Sequence, residues 1–252
     1  MCSVILLRRP GHAFPLLLAA NRDERLDRPW APPARHWPDQ PEVRGGLDEL
    51  AGGTWLALND GGHVAAILNR AGTLGPAAGK RSRGELPLQA MDHADAAEAA
   101  AALAAIDPAA YRPFNLVLAD DRDAFVLTHT DGAGRTPVRV HRAGEGFTMV
   151  TAREPDDPAS PRIRLHKPRF AAAPVPDPTT QDWAAWEALL ESRETAPGAG
   201  PEGALFIETE TGFGTSSSAL IALPRPSVGG PRPIWRFAAG RNRPRPWNAV
   251  EE

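Results

Sequence analysis

The chain opens Met1-Cys2-Ser3-Val4-Ile5-Leu6-Leu7, turns at Pro10-Gly11-His12, and runs through the apolar stretch Phe14 to Ala19 into Asn21-Arg22-Asp23-Glu24. Val4 to Leu7 has the composition of a buried strand. With the second apolar run and the turn between them, it reads as an antiparallel hairpin. In such a pair the start of the first strand lies beside the end of the second. Cys2 is therefore expected close to residues 20 to 24.

That placement gives Cys2 a chemical meaning. A small second residue permits removal of the initiator methionine, which leaves Cys2 with a thiol and a free α-amine. The unperturbed pKa of an α-amine is about 7.7–8.0, low enough for it to serve as a base near neutral pH. One residue then supplies both nucleophile and general base. Arg22 can favour the thiolate and Asp23 can hold the amine. The plainer alternative is a small apolar residue heading a core strand, beside a solvated charged hairpin end.

Working outward, residues 25 to 50 are rich in Pro, Arg and Asp and carry Trp30 and Trp37, so they read as one long irregular segment, a common form for a lid or functional loop. Thr54 to Leu58 and Val64 to Leu68 read as a second hairpin, with Asn59-Asp60-Gly61-Gly62 as its turn. Gly72 to Gly84 is a basic, Gly-rich loop. Leu86 to Ile106 carries helical spacing for one or two helices. Four strands are expected at Asn115–Leu118, Ala124–Thr128, Val138–His141 and Phe147–Thr151. Arg162–Ala172 and Gln181–Ser192 read as helices, and Ala219–Leu223 and Ile234–Phe237 as late strands. Hairpins in series argue for a layered α+β domain over residues 1–240 and against a doubly wound parallel sheet. Residues 241–252 read as a loosely held polar tail.

Composition narrows the function classes. The chain has 252 residues, 28 Lys and Arg against 31 Asp and Glu, and a net charge of −3, so no global basic field points to nucleic acid. Only Lys80 and Lys167 are lysines; the Arg, Ala, Pro and Gly bias resembles a GC-rich bacterial genome. The single cysteine excludes an internal disulfide and a Cys-rich zinc site, and the seven histidines lack paired spacing, so no metal is expected. No apolar run approaches the length of a membrane span, and Arg8-Arg9 follow the first run, the wrong order for a secretory signal. The expected location is cytoplasmic.

Other motifs fail on inspection. Gly75 and Gly79 enclose three residues where a phosphate loop needs four, and Arg81 follows Lys80 where Ser or Thr is required. Gly214-Thr215-Ser216-Ser217-Ser218 lacks the closing glycine of a nucleophile elbow and reads as a polar loop entering a strand. His63 reads as a surface or hydrogen-bonded histidine.

Taken in order, Cys2, Asn21-Arg22-Asp23-Glu24, Gly52-Gly53-Thr54-Trp55, Leu68-Asn69-Arg70, Ser82-Arg83-Gly84-Glu85-Leu86, Phe114-Asn115-Leu116 and Gly214-Thr215 with Ser217-Ser218 resemble the landmarks of the NRDE family, also called the transport and Golgi organisation protein 2 family. The resemblance spans residues 1 to about 237. It implies a four-layer αββα sandwich of antiparallel sheets, similar to the N-terminal-nucleophile hydrolases that include penicillin V and bile-salt amidases. It also implies roles: Cys2 as nucleophile and base, Arg22 and Asp23 as its supporting pair, and Asn69 as oxyanion donor. Thr151-Ala152-Arg153 stands where family members carry a Ser-Asn pair, and Arg70 and Thr73 depart from an aromatic residue after the turn asparagine.

Two functions follow as expectations. One is a cysteine amidase that cleaves a linear amide through Cys2, requiring no cofactor. The other is a non-catalytic carrier of haem or an acyl-coenzyme A-like lipid ligand. In that case the Trp-bearing segments line an apolar groove, and Arg70, Arg81 and Arg83 meet propionates or phosphates, with Asn21 and Glu24 as further ligand contacts. Both need a small-molecule partner, and neither a nucleic acid nor membrane integration.

Overall fold

The computed structural model describes residues 2–227, 229–240 and 245–251. In chain order the strands are β1 (Ser3–Arg8), β2 (Leu16–Arg25), β3 (Trp30–Ala34), β4 (Val43–Asp48), β5 (Leu56–Asn59), β6 (Val64–Asn69), β7 (Phe114–Ala119), β8 (Ala124–His129), β9 (Arg139–Arg142), β10 (Gly146–Val150), β11 (Phe213–Leu223), β12 (Ile234–Ala239) and β13 (Asn248–Ala249). The helices are α1 (Leu86–Met91), α2 (Ala96–Ala104), α3 (Pro161–Ala172) and α4 (Ala184–Leu190). Among the described residues the strands form two antiparallel sheets. One has six strands in the order β10-β1-β2-β11-β12-β13, and the other has seven in sequential order from β3 to β9.

Alternation along the strands builds the layers. Val4, Leu6, Leu16, Leu18 and Ala20 face a core between the two sheets, which the second sheet completes with Leu56, Val64, Leu68 and Val117. The intervening Ile5, Leu7, Leu17 and Ala19 pack against Phe170, Trp183 and Trp186 of the α3–α4 layer. On the outer face of the seven-stranded sheet, Ala65, Leu116 and Leu118 pack against Leu86, Ala99 and Leu103 of α1 and α2. The result is the expected αββα sandwich. Full burial of a side chain such as Phe170 contributes about 1.5–3 kcal/mol to the core beneath α3 and α4.

The first hairpin forms as the sequence predicts, with Ser3 opposite Asn21 and Val4 opposite Ala20. Five expectations need correction. The segment 25–50 is not one irregular loop: β3 and β4 lie within it, and Trp30 packs edge-on against Trp55 with ring centroids 5.6 Å apart. The Gln181–Ser192 helix starts only at Ala184, because Gln181 has φ 58° and Asp182 pairs with Asp177 in an isolated bridge. Gly214 to Ser218 is not a loop but the buried first half of β11. The tail is not wholly loose: Arg245 is buried and β13 pairs with β12, while 241–244 lie outside the described residues. His63 is buried rather than surface-exposed; burial pushes its pKa down to about 4, and neither ring nitrogen has a partner among the described residues.

Candidate active site

The alternation that builds the cores also sorts the charged hairpin end. Ala20 faces the sheet–sheet core, so Arg22 and Glu24 share that side, and Cys2 joins them because Val4 does. Ser3, Asn21 and Asp23 take the opposite side, beneath α3 and α4. Cys2, Arg22 and Glu24 line one cavity of about 270 Å³ together with Asn69 at the end of β6, Trp55, and the segment Gly75 to Gly84. Cys2 therefore meets Asp23 through the backbone: the Asp23 N–H donates toward Sγ at 3.4 Å, and the thiol lies 3.6 Å from the Asp23 carbonyl oxygen.

Arg22 is held from three sides. Its guanidinium lies over the Trp55 ring at 4.3 Å, its Nη1 donates to Ser216 Oγ at 3.0 Å, and its Nη2 is 4.0 Å from Asp48 Oδ2. Asp48 is itself gripped by Arg28 through bonds of 2.7 and 2.9 Å. Close packing positions the stack. A Cβ on Gly46 would strike the Trp55 ring at 2.2 Å, and one on Gly53 would strike the Gly84 carbonyl oxygen at 2.4 Å. Those two glycines let the Gly52-Gly53-Thr54-Trp55 segment lie against both β4 and the Ser82–Glu85 turn.

On the opposite side, Asp23 is fully engaged. Arg162 Nη1 donates to its Oδ2 at 3.1 Å and Thr215 Oγ1 to its Oδ1 at 2.6 Å. Arg162 Nη1 also donates to Ser3 Oγ at 2.8 Å. Asn21 donates through Nδ2 to the Leu190 and Leu205 carbonyls at 2.8 and 2.9 Å, and accepts from Ser218 Oγ at 2.5 Å.

A β-bulge in β11 lets one strand serve both sides. Thr215 pairs with Asp23, Ser217 with Arg22 and Ser218 with Asn21, leaving Ser216 as the extra residue. Thr215 and Ser218 are three apart, so strict alternation would place them on opposite faces; the inserted residue restores parity. Both then reach the helix side, while Ser216 serves Arg22. Arg162, Thr215, Ser216, Trp55 and Asp48 were not legible as site residues in the sequence. The available signal was a run of small hydroxyl residues interrupting an otherwise apolar strand.

Electrostatics at the thiol oppose the simplest expectation. Burial raises the Cys2 pKa above the usual thiol value, the Asp23 charge raises it further, and Arg22 lowers it only as a smaller contribution. Burial also lowers the Arg22 pKa, offset in part by Cys2, Glu24 and Asp48. Removal of Met1 concerns a residue outside the described ones.

The remaining predicted residues separate. Arg81 and Arg83 line the cavity, but Arg70 does not; it donates to Asn115 Oδ1 at 2.7 Å and to Glu154 at 2.9 Å. Asn115 in turn donates to the Thr151 and Arg153 carbonyls at 2.8 and 2.6 Å, tying down the segment that lacks the Ser-Asn pair. Of the tryptophans only Trp55 reaches the cavity, and Trp183 and Trp186 belong to the helix-side core. No group of three His, Cys, Asp or Glu among the described residues is placed to hold a metal ion. No helix among them is long and apolar enough to cross a membrane.

Two antiparallel sheets sandwiched between helices, with a cysteine at the head of a central strand facing a cavity, define the N-terminal-nucleophile hydrolase-like class of fold. A Caenorhabditis elegans orthologue of N-acylethanolamine-hydrolyzing acid amidase superimposes with a TM-score of 0.60 at 12% identity, covering 91% of this chain and 95% of that one. The C2A variant of the conjugated bile acid hydrolase of Clostridium perfringens superimposes at 0.54 with 11% identity, covering 100% and 92% of the two chains. The chain belongs to the Transport and Golgi organisation 2 family, whose model matches residues 1–225. It is 36% identical over 114 residues to a Bos taurus Transport and Golgi organization protein 2 homolog, a match covering 43% of this chain and 40% of the bovine protein. The human homolog matches at 43% identity over 61 residues, 23% of this chain and 22% of the human protein. The aligned stretches thus span less than half of these relatives.

Proposed function

We propose that the protein is a cysteine amidase that acts after loss of Met1. The observation that carries this reading is the Cys2 thiol facing a cavity shared with Arg22 and Asn69, with the Asp23 N–H at 3.4 Å from Sγ. In the reaction Sγ bonds to the carbonyl carbon of the amide. The thiol proton passes through the α-amine to the leaving nitrogen as the C–N bond breaks. Water then cleaves the thioester, releasing a carboxylic acid and restoring the thiol. Asn69 side-chain N–H groups donate to the oxyanion; no hydrogen bond holds that side chain among the described residues. The Asp23 charge acts on Cys2, and in this reading it favours the protonated form of the α-amine freed there. Fold relatives named as an amidase and a bile acid hydrolase support the reaction class.

The test is intact mass on protein purified from cells, followed by incubation with amides and a search for a thioester at Cys2. Loss of Met1 and an acyl adduct abolished by Cys2→Ala are expected. Methionine retained on protein that is fully competent overturns the reading. A second reading, a carrier of haem or an acyl-coenzyme A-like ligand, draws on Arg81 and Arg83 in the cavity wall. Against it, the cavity of about 270 Å³ lies below the roughly 300–1,000 Å³ of drug-sized ligand sites, so such a ligand requires displacement of the Gly75–Gly84 segment. Haem titration with unchanged affinity in Cys2→Ala would favour the carrier.

A further inference from the structure

The cavity walls are electrically unequal. Six cationic side chains and two carboxylates line it, in a protein whose net charge is −3. On the strand wall Arg22 and Arg28 are matched by Asp48, with Glu24 beside them. On the loop wall the match fails. Lys80 donates to the Ala109 and Gly132 carbonyls at 2.6 and 2.7 Å. Arg112 donates to the Leu74 and Gly75 carbonyls at 2.8 and 2.9 Å. Arg83 donates to the Thr73 and Pro113 carbonyls at 2.8 and 2.9 Å. Only Arg81 has a carboxylate partner, Glu85 at 2.7 Å. Carbonyls satisfy hydrogen bonds without cancelling charge, so three cations stand together with no ion-pair partner among the described residues, and Glu24 acts on Arg83 only at longer range. Burial, with the neighbouring Arg112 next, pushes Arg83 down to about 10, opposed in part by Cys2 and Glu24.

Behind Cys2 the cavity changes character. A recess between the sheets, lined by Val4, Ala20, Leu56, Ala66, Leu68 and Ala219, holds only about 20 Å³. Since about 10–15 Å³ is the minimum for one water, this space accepts a methyl-sized group and not an extended chain.

We propose that the ligand of this cavity is a small amide whose short acyl group enters the recess behind Cys2 and whose amine-derived part carries a carboxylate or phosphate against the wall of Lys80, Arg81, Arg83 and Arg112. This rests on the cavity being the substrate site, and it deepens the amidase reading by naming the substrate class.

The test uses the single cysteine as its own reporter. Iodoacetate and iodoacetamide alkylate the same sulfur and differ mainly in charge. At low ionic strength the iodoacetate-to-iodoacetamide rate ratio is expected to be about tenfold or more higher in the folded protein than in the chain unfolded in urea, within the range of electrostatic steering. Molar KCl should collapse most of that excess, since the Debye length falls to about 3 Å. Lys80→Gln with Arg81→Gln should lower the excess several-fold while leaving Arg83 and Arg112 to hold the loop. A ratio equal to or below the unfolded value, or a thiol that neither reagent reaches, overturns the proposal. N-acetylglutamate and inorganic phosphate then probe the carboxylate and phosphate arms as protectants, with N-acetylglutaminamide as the neutral control. Equal protection by the neutral control overturns the anionic assignment, and equal or better protection by N-octanoylglutamate overturns the short acyl group. Absence of a thioester would defeat the amidase reading but leave the charge preference standing, so the two failures are distinguishable.

Discussion

The two faces of the β1–β2 pair begin from the same few residues and end in opposite conditions. On the helix side, the buried side chains of Asp23 and Asn21 bond to Arg162, Thr215, Ser218 and main-chain carbonyls. On the sheet side, Cys2, Arg22 and Glu24 open onto a cavity in which Lys80, Arg83 and Arg112 have no carboxylate in ion-pair contact among the described residues. The difference is one of purpose. A buried charge is tolerable only when paired, so the helix side is a fixed base plate. The cavity side holds its charges on the wall of an open cavity.

The sharpest way to break this contrast is to unpair the base plate. Arg162→Met leaves Asp23 as a buried carboxylate facing an apolar side chain and is expected to cost about 3–5 kcal/mol, read by urea unfolding. A loss near zero would show that the helix side does not depend on that pair.

Acid should act on the same side. His166 on α3 is buried, and burial, with Arg169 next, pushes its pKa down to about 4. The folded value lies below the unfolded value of about 6.5, so its contribution is complete above pH 6.5 and is lost as pH falls through 4. The full loss is about 3 kcal/mol, and the slope of stability against pH in that window should flatten in His166→Gln.

Thr215→Val removes a donor from a buried carboxylate at nearly constant volume. It should cost about 1–3 kcal/mol in the same unfolding experiment. Because it strips a hydrogen bond from Asp23, it should also move the pH midpoint of Cys2 alkylation, whereas the purely apolar Phe170→Leu should lower stability and leave that midpoint alone.

On the cavity side the effects are smaller and kinetic. Asp23 raises the thiol pKa and Arg22 lowers it. Arg22→Gln should therefore shift the alkylation midpoint upward, and Asp23→Asn downward. Arg70, whose guanidinium serves Asn115 and Glu154 outside the cavity, sharpens the comparison: Arg70→Gln should leave the iodoacetate preference unchanged and cost at most about 1 kcal/mol after solvent screening.

Much of the fold was legible because period-two alternation and turn residues are local properties. The opening hairpin, the Leu56–Asn69 hairpin region and the four middle strands follow from them, and helix α3 from its own helical composition. The segment 25–50 was not, because its strands carry prolines and charges and are held by long-range partners: β3 by β4, β4 by β5, and Trp30 by Trp55 and Phe237. The nearness of Cys2 to Asn21-Arg22-Asp23-Glu24 was readable from hairpin geometry. The division of that tetrapeptide between two faces follows from the same alternation once the core side of Ala20 is known.

The amino-acid sequence by itself determined that a cysteine heads a buried strand and that an Arg-Asp pair lies across from it, since two apolar runs joined by a short turn segment pair antiparallel with the start of one beside the end of the other. The tertiary structure alone decided what surrounds them. The bulge at Ser216 aims Thr215 and Ser218 at one face, α3 brings in Arg162, and the Gly72–Gly84 loop sets its cations opposite the thiol. The bonds from Arg162, Thr215 and Ser218 reach residues more than a hundred positions away, and their free energy comes from burial and pairing that no local stretch of chain contains.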